Sequence, residues 1–223
     1  MKRLLNRLAA LRSMLVIARD PRRLDAVFAL RESIDDSSVL EPVVARLRAG
    51  EATGRALRER ARLGRVDLAA LSALPEGTLG RAYADFMRAA NLDPASIPTL
   101  EARGEHGWFT AHLYETHDVW HVVAGFGPDV AGELGLQAFY FAQLEGPLPM
   151  AVLTAGLLNT VVSAMGDAPR RMDEIARGWR LGRAARPLFG VRWDERWARP
   201  LDEVRRELGL PAPGEEPALP RAA

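Results

Sequence analysis

Cysteine is absent from the 223 residues. That excludes disulfide frameworks, thiolate metal sites, iron–sulfur clusters and cysteine nucleophiles. Lysine is almost absent too: Lys2 is the one lysine among 30 basic residues, the rest being arginine. This Arg-, Ala- and Leu-rich usage follows from GC-rich coding and reads as a bacterial bias, without bearing on function. Neither charge predominates, with 30 basic against 29 acidic side chains and a net charge of +1, so the chain as a whole is not a basic nucleic-acid binder. The longest uncharged run, Gly146 to Gly166, is nominally long enough for a bilayer. Pro147 and Pro149 break its start, and Thr154, Asn159, Thr160 and Ser163 dilute it, so a buried core helix is the reading preferred over one that dips into lipid. No Gly-x-Ser-x-Gly elbow is found, and Gly125-Phe126-Gly127 follows no strand pattern, so it is not a nucleotide loop.

What is present is a helical period. A chain of this length buries roughly 70% of its unfolded surface and folds without crosslinks. Leu4, Leu8, Leu11, Leu15 and Ala18 recur at three- and four-residue steps. Lys2, Arg3, Arg7, Arg12 and Arg19 accompany them with no acid, which leaves three readings: a transit peptide, a helix against anionic lipid, or an ordinary first helix with some affinity for a membrane surface. Pro75 precedes a helix near 78–91 whose inner face is Leu79, Tyr83, Phe86 and Met87. Asn91 to Glu105, with Pro94 and Pro98, is the best place for an internal joint, but residues 1–90 alone would be a thin layer. From His106 to Arg186 the pattern is mostly apolar helix, interrupted at Gly125–Pro128 and Gly146–Pro149. We expect an all-α single domain over residues 1–210 and a disordered proline-rich tail over 211–223. The five tryptophans read as core or interface anchors. The arginines from Arg170 to Arg186 read as a solvated face, with contact to anionic lipid or a partner enzyme as the alternative.

The chemistry concentrates in one segment. His106, His112, His117 and His121 fall within 16 residues. His117 and His121, at i and i+4, leave one face of a helix, with Asp118 at its rim. Eleven residues separate His121 from Glu133, and Gly125–Pro128 lets the chain reverse, so Glu133 and Gln137 would face back toward the histidines. Two imidazoles and two carboxylates make a nitrogen–oxygen set suited to Zn²⁺, Fe²⁺, Mn²⁺ or Mg²⁺. A carboxylate in an apolar run such as that around Glu133 is costly to bury without a cation. Two other metal families fit less well. Asp118 is one methylene too short for the glutamate of a zincin protease, and His112 with Asp167 lacks the spacing of a His-Asp phosphohydrolase.

The pattern His117-Asp118-x-x-His121, eleven residues, Glu133 resembles the metal motif of the coenzyme Q biosynthesis family founded by the fourth yeast coenzyme Q protein. Leu74-Pro75-Glu76-Gly77-Thr78-Leu79-Gly80, Gly132-Glu133-Leu134 and Gln137-Ala138-Phe139 are similar to family segments. So are Gly178-Trp179, Gly182, Pro187-Leu188, Trp193, Pro200-Leu201 and the ending Arg206-Glu207-Leu208-Gly209-Leu210. The likeness covers about residues 14–210, which implies a very short leader or none and a bacterial protein peripheral on the inner face of the cell membrane. It also implies an all-helical fold and a metal, usually zinc, held by His117, Asp118, His121 and Glu133. The implied activity removes the C1 carboxyl group of a polyprenyl-hydroxybenzoate ring with hydroxylation at that carbon. The implied partners are the prenylated quinone precursor, other quinone-biosynthesis enzymes and a second copy. The prenyl tail would need an apolar channel, for which Phe139, Tyr140, Leu148, Met150, Leu153 and Leu157 are the candidates, against plain core packing. The other reading of the chain is a non-catalytic isoprenoid-binding scaffold that organises quinone enzymes.

Overall fold

A computed structural model describes residues 2–21, 23–34, 37–94, 100–212 and 215. They form α1 (Lys2–Arg19), α2 (Leu24–Ile34), α3 (Ser37–Ala49), α4 (Glu51–Glu59), α5 (Leu68–Ser72) and α6 (Leu79–Ala89). Then follow α7 (Gly104–Ala124), α8 (Val130–Leu144), α9 (Pro147–Ser163), a short 3₁₀ turn (Met165–Asp167), α10 (Ala168–Ala184) and α11 (Leu201–Glu207). The expected all-α class holds: among the described residues the one strand-like feature is an isolated bridge between Thr78 and Pro200. Pro147 and Pro149 begin α9 instead of breaking it, because proline suits a first helical turn. Pro98 and most of the expected disordered tail lie outside the described residues.

The chain divides into two compact units, residues 1–43 with 129–183, and residues 44–128 with 184–223. Neither is a contiguous stretch. Both flanks of Asn91–Glu105, weighed as an internal joint and set aside in favour of one domain, belong to the second unit.

In the first unit α1 packs on α2 and α9, and α8 packs on α9. Ile17, Ala26, Leu30, Val152 and Ala155 form one core cluster; Leu134, Ala138 and Leu153 form another. The backbones of α8 and α10 nearly touch at Gly178, where a Cβ would lie 1.9 Å from the Gly135 carbonyl oxygen. A polar knot ties α1, α9, the 3₁₀ turn and α10. The buried Arg171 donates from Nη1 to Asn159 Oδ1 and Thr160 Oγ1, each at 2.9 Å, and from Nε to Asp167 Oδ2 at 2.9 Å. Asn159 Nδ2 in turn donates to the Ala18 carbonyl at 2.9 Å. Arg171 thus departs from the expected solvated arginine face. A buried guanidinium needs hydrogen-bond acceptors, and this knot supplies three.

In the second unit α6 and α11 pack on α7. The start of α6 is held by the C-terminal segment: Leu79 N–H donates to Arg199 O at 2.9 Å, and Gly80 N–H to Trp197 O at 2.8 Å. Arg62 pairs with Glu115 of α7, which also accepts from the Leu63 N–H at 3.2 Å. Trp108 Nε1 donates to Ala61 O at 3.1 Å. These contacts fix α7, the helix that carries all four histidines. Trp108, Trp120 and Trp193 are buried as core anchors, whereas Trp179 is exposed.

Candidate metal centre

The four-residue spacing of His117 and His121 brings their rings to 4.9 Å between centroids, at 89° to one another. Asp118 joins them: one ligand atom from each of His117, Asp118 and His121 lies within 4.8 Å of the others. This is a cluster that one small cation could bridge.

The end of α7 orients His121. Gly125 takes φ +74°, a left-handed conformation that glycine adopts without strain. The turn folds so that Gly125 and Phe126 N–H both donate to the His121 carbonyl, at 2.8 and 2.9 Å. The Phe126 carbonyl oxygen then sits 3.2 Å from His121 Nδ1. A carbonyl only accepts, so in the neutral ring Nδ1 carries the proton and Nε2 holds the lone pair. A backbone acceptor on the distal nitrogen is what sets the tautomer of a metal-ligating imidazole. The donor set therefore fits a divalent cation of the kind the sequence implied.

The walls come from α6. Phe86 stacks on His121 at 5.4 Å between centroids. Tyr83, one turn earlier, is buried, and its phenol is pushed up first by burial and then by the Asp118 carboxylate, so it stays protonated. Both residues were legible as an inner helix face. Nothing in their spacing said that this face meets the histidines.

The other histidines are placed differently. His112 is buried, stacked on Trp108 at 4.8 Å and edge-on to Phe189 at 5.1 Å. Its Nε2 accepts from the Gly190 N–H at 3.1 Å. Burial lowers its pKa to about 4, so it is a neutral core residue. His106 stands in the first turn of α7, outside the triad. Asp167 is ion-paired with Arg170 and Arg171, whose hydrogen bonds hold its carboxyl below the usual carboxylate range.

Glu133 stands in the first turn of α8, in the first unit, half-buried. Asp129 caps that helix, accepting from the Ala131 and Gly132 N–H groups at 2.9 and 3.1 Å. Gln137 Nε2 donates to Glu133 Oε1 at 2.7 Å, which orients the carboxylate. Of the apolar candidates, Phe139, Tyr140 and Leu153 are buried and Leu148 is half-buried, while Met150 and Leu157 are exposed.

An all-helical chain with a His/Asp/His nitrogen–oxygen cluster on one long helix defines a candidate metalloprotein class. The family model for "Coenzyme Q (ubiquinone) biosynthesis protein Coq4" matches residues 1–214. The chain belongs to that family. It is 30% identical over 199 residues to "Ubiquinone biosynthesis protein coq-4, mitochondrial" of Caenorhabditis elegans, covering 86% of this chain and 84% of that protein. It is 30% identical over 198 residues to the "Ubiquinone biosynthesis protein COQ4 homolog, mitochondrial" of Bos taurus, covering 87% and 74%. The crystal structure of a protein named for ubiquinone biosynthesis from Nostoc punctiforme PCC 73102 is similar at a TM-score of 0.80 and 30% identity, over 92% of this chain and 96% of that one.

Proposed function

We propose that this protein of the ubiquinone biosynthesis family is a metal-dependent enzyme acting at C1 of a polyprenyl-hydroxybenzoate ring. The observation that carries the reading is the His117/Asp118/His121 cluster, its ligand atoms within 4.8 Å of one another, in a chain of this family. His117, Asp118, His121 and Glu133 would hold the cation. Zn²⁺ is the first choice, and Fe²⁺, Mn²⁺ and Mg²⁺ suit the same donors. When bound, a divalent cation supplies Lewis acidity to a carboxylate or phenolate oxygen of the ring.

The protein's own groups do the rest. The Phe126 carbonyl holds the proton on His121 Nδ1 and keeps Nε2 directed as a ligand. Gln137 orients Glu133. Tyr83, kept protonated, offers a hydrogen-bond donor beside the cluster. Phe86 with His121 presents an aromatic wall. In the net reaction the ring carbon loses its carboxyl group as carbon dioxide and gains one oxygen atom from dioxygen. The second oxygen atom leaves as water with two electrons from a reductant. The prenylated substrate places the enzyme at a membrane surface, alongside other quinone-biosynthesis enzymes.

The test uses purified protein, zinc or iron, oxygen, a reductant and a polyprenyl-hydroxybenzoate labelled in its carboxyl group. Labelled carbon dioxide is expected from the wild type, and none above background from His121→Ala, with binding of the prenylated substrate retained. Turnover that survives His121→Ala would overturn the metal-dependent assignment. Binding without any turnover by the wild type would leave the isoprenoid-binding scaffold as the reading.

A further inference from the structure

Two buried nitrogen donors in the second unit have no acceptor among the described residues. His112, 4% exposed, receives the Gly190 N–H on Nε2 at 3.1 Å. Its neutral ring therefore carries the proton on Nδ1, and that nitrogen, shut off from solvent, meets no hydrogen-bond partner. Trp193, 1% exposed, has its indole Nε1–H in the same state. An indole nitrogen can donate but not accept. A buried N–H without an acceptor costs the full desolvation of the group, and native proteins rarely leave one so. Trp108, which stacks on His112, shows the contrast: its Nε1–H reaches the Ala61 carbonyl at 3.1 Å. His112 and Trp193 line one small cavity, walled by α7, residues 56–63 and the segment after α10.

We infer that this cavity is a binding site for one water molecule, which accepts from both His112 Nδ1–H and Trp193 Nε1–H. Donor count, size and charge select it. Two N–H groups call for an acceptor with two lone pairs, which a single oxygen atom offers. The space open to a water-sized molecule is about 10 Å³, enough for roughly one water and too little for an organic ring. No free cation lines the cavity to call for an anion. Arg62 is paired with Glu115 and Arg192 with Asp194, and Glu59 adds a carboxylate to the lining. The protons of the water have places to go. Thr116 Oγ1, on another lining residue, gives its proton to the His112 carbonyl at 2.8 Å and keeps its lone pairs. The Ala61 carbonyl keeps one lone pair beside the one taken by Trp108. The water joins Trp193 to α7 beside the Gly190–His112 bond, so the C-terminal segment rests on the histidine helix through a hydrated contact. This site is separate from the ligands of the proposed cation and does not depend on that reading.

The experiment is proton NMR of the full chain in water, read at the Trp193 indole N–H, which is assigned by its loss in Trp193→Phe. A bound water gives this proton a cross-peak at the water frequency with opposite signs in the laboratory and rotating frames, whereas proton exchange gives the same sign in both. The peak is expected in the wild type. His112→Leu removes the second donor and should abolish it. His112→Asn, whose amide nitrogen takes the place of Nδ1, should restore it. Circular dichroism checks that each variant folds. A crystal structure of the wild-type chain gives a second reading that needs no variant: one oxygen is expected at about 2.7–3.2 Å from both nitrogens. A dry cavity, a water on one nitrogen alone, or a cross-peak unmoved by His112→Leu would overturn the inference. So would an anomalous peak in the cavity after bromide soaking, since the occupant would then be an anion.

Discussion

His112 and His121 lie nine residues apart on one helix and show how surroundings, not residue type, assign a histidine its part. His112 is neutral because its ring is desolvated between Trp108 and Phe189. Its pKa of about 4 lies below the 6.5 of an unperturbed imidazole, so below pH 6.5 the unfolded chain takes up a proton that the folded one refuses. Stability from this group is therefore intact above pH 6.5, falls as pH drops to about 4, and is level below that, a loss of about 3 kcal/mol at most. Denaturant unfolding at pH 7 and pH 4.5 should show a smaller acid loss in His112→Phe than in the wild type. His121 depends instead on a backbone turn. In Gly125→Ala the +74° φ becomes strained, and the Phe126 carbonyl shifts from Nδ1. Zinc affinity measured by chelator competition should fall about 10- to 100-fold, the usual effect of losing an outer partner. The His117–His121 pair was legible because i, i+4 is a rule of local geometry. The buried state of His112 was not, since Phe189 and Gly190 reach it from nearly 80 residues along the chain.

At the scale of elements, the period of a helix reveals a stripe but not which way the stripe turns. The leucine repeat of α1 was plain in the sequence. Its outward orientation depends on the knot at Asn159, which fastens the Ala18 end to α9, and on how well Ala10, Ser13 and Ile17 fit their neighbours. Helix α7 and the break at Gly125 were legible for a different reason, because glycine in a left-handed cap is a local signal. The approach of α8 to α10 was not. Gly178 could have served a turn or nothing at all until Gly135 was seen against it. A methyl group there would meet the Gly135 carbonyl at 1.9 Å, and carbonyl oxygen cannot yield as a side chain can. Gly178→Ala should therefore push the two helices apart and cost about 2–3 kcal/mol, at the upper end for one added carbon in a packed core. Thermal unfolding of Gly178→Ala beside Gly166→Ala, where nothing lies within 4 Å of the added carbon, separates the clash from the loss of a glycine.

At the scale of the whole molecule, the three clustered residues His117, Asp118 and His121 all belong to α7, whereas the fourth proposed ligand, Glu133, stands in the first turn of α8 and is not among the clustered residues. A helix holding only His117, Asp118 and His121 would bind a cation through one local segment. Whether Glu133 adds to that set is decided by titration. A ligand that binds the folded chain alone stabilises it by about 2.7 kcal/mol at a hundred times its dissociation constant, or about 5–10 °C in melting temperature for a chain of this length. Wild-type protein should show this rise with zinc, and His117→Ala should lose it entirely. Glu133→Gln keeps shape and the capacity to bond Gln137 but removes the charge. If Glu133 completes the set, that variant should reach half the wild-type rise only at zinc concentrations at least about tenfold higher. An unchanged titration would confine the cation to α7 and remove Glu133 from the set of ligands.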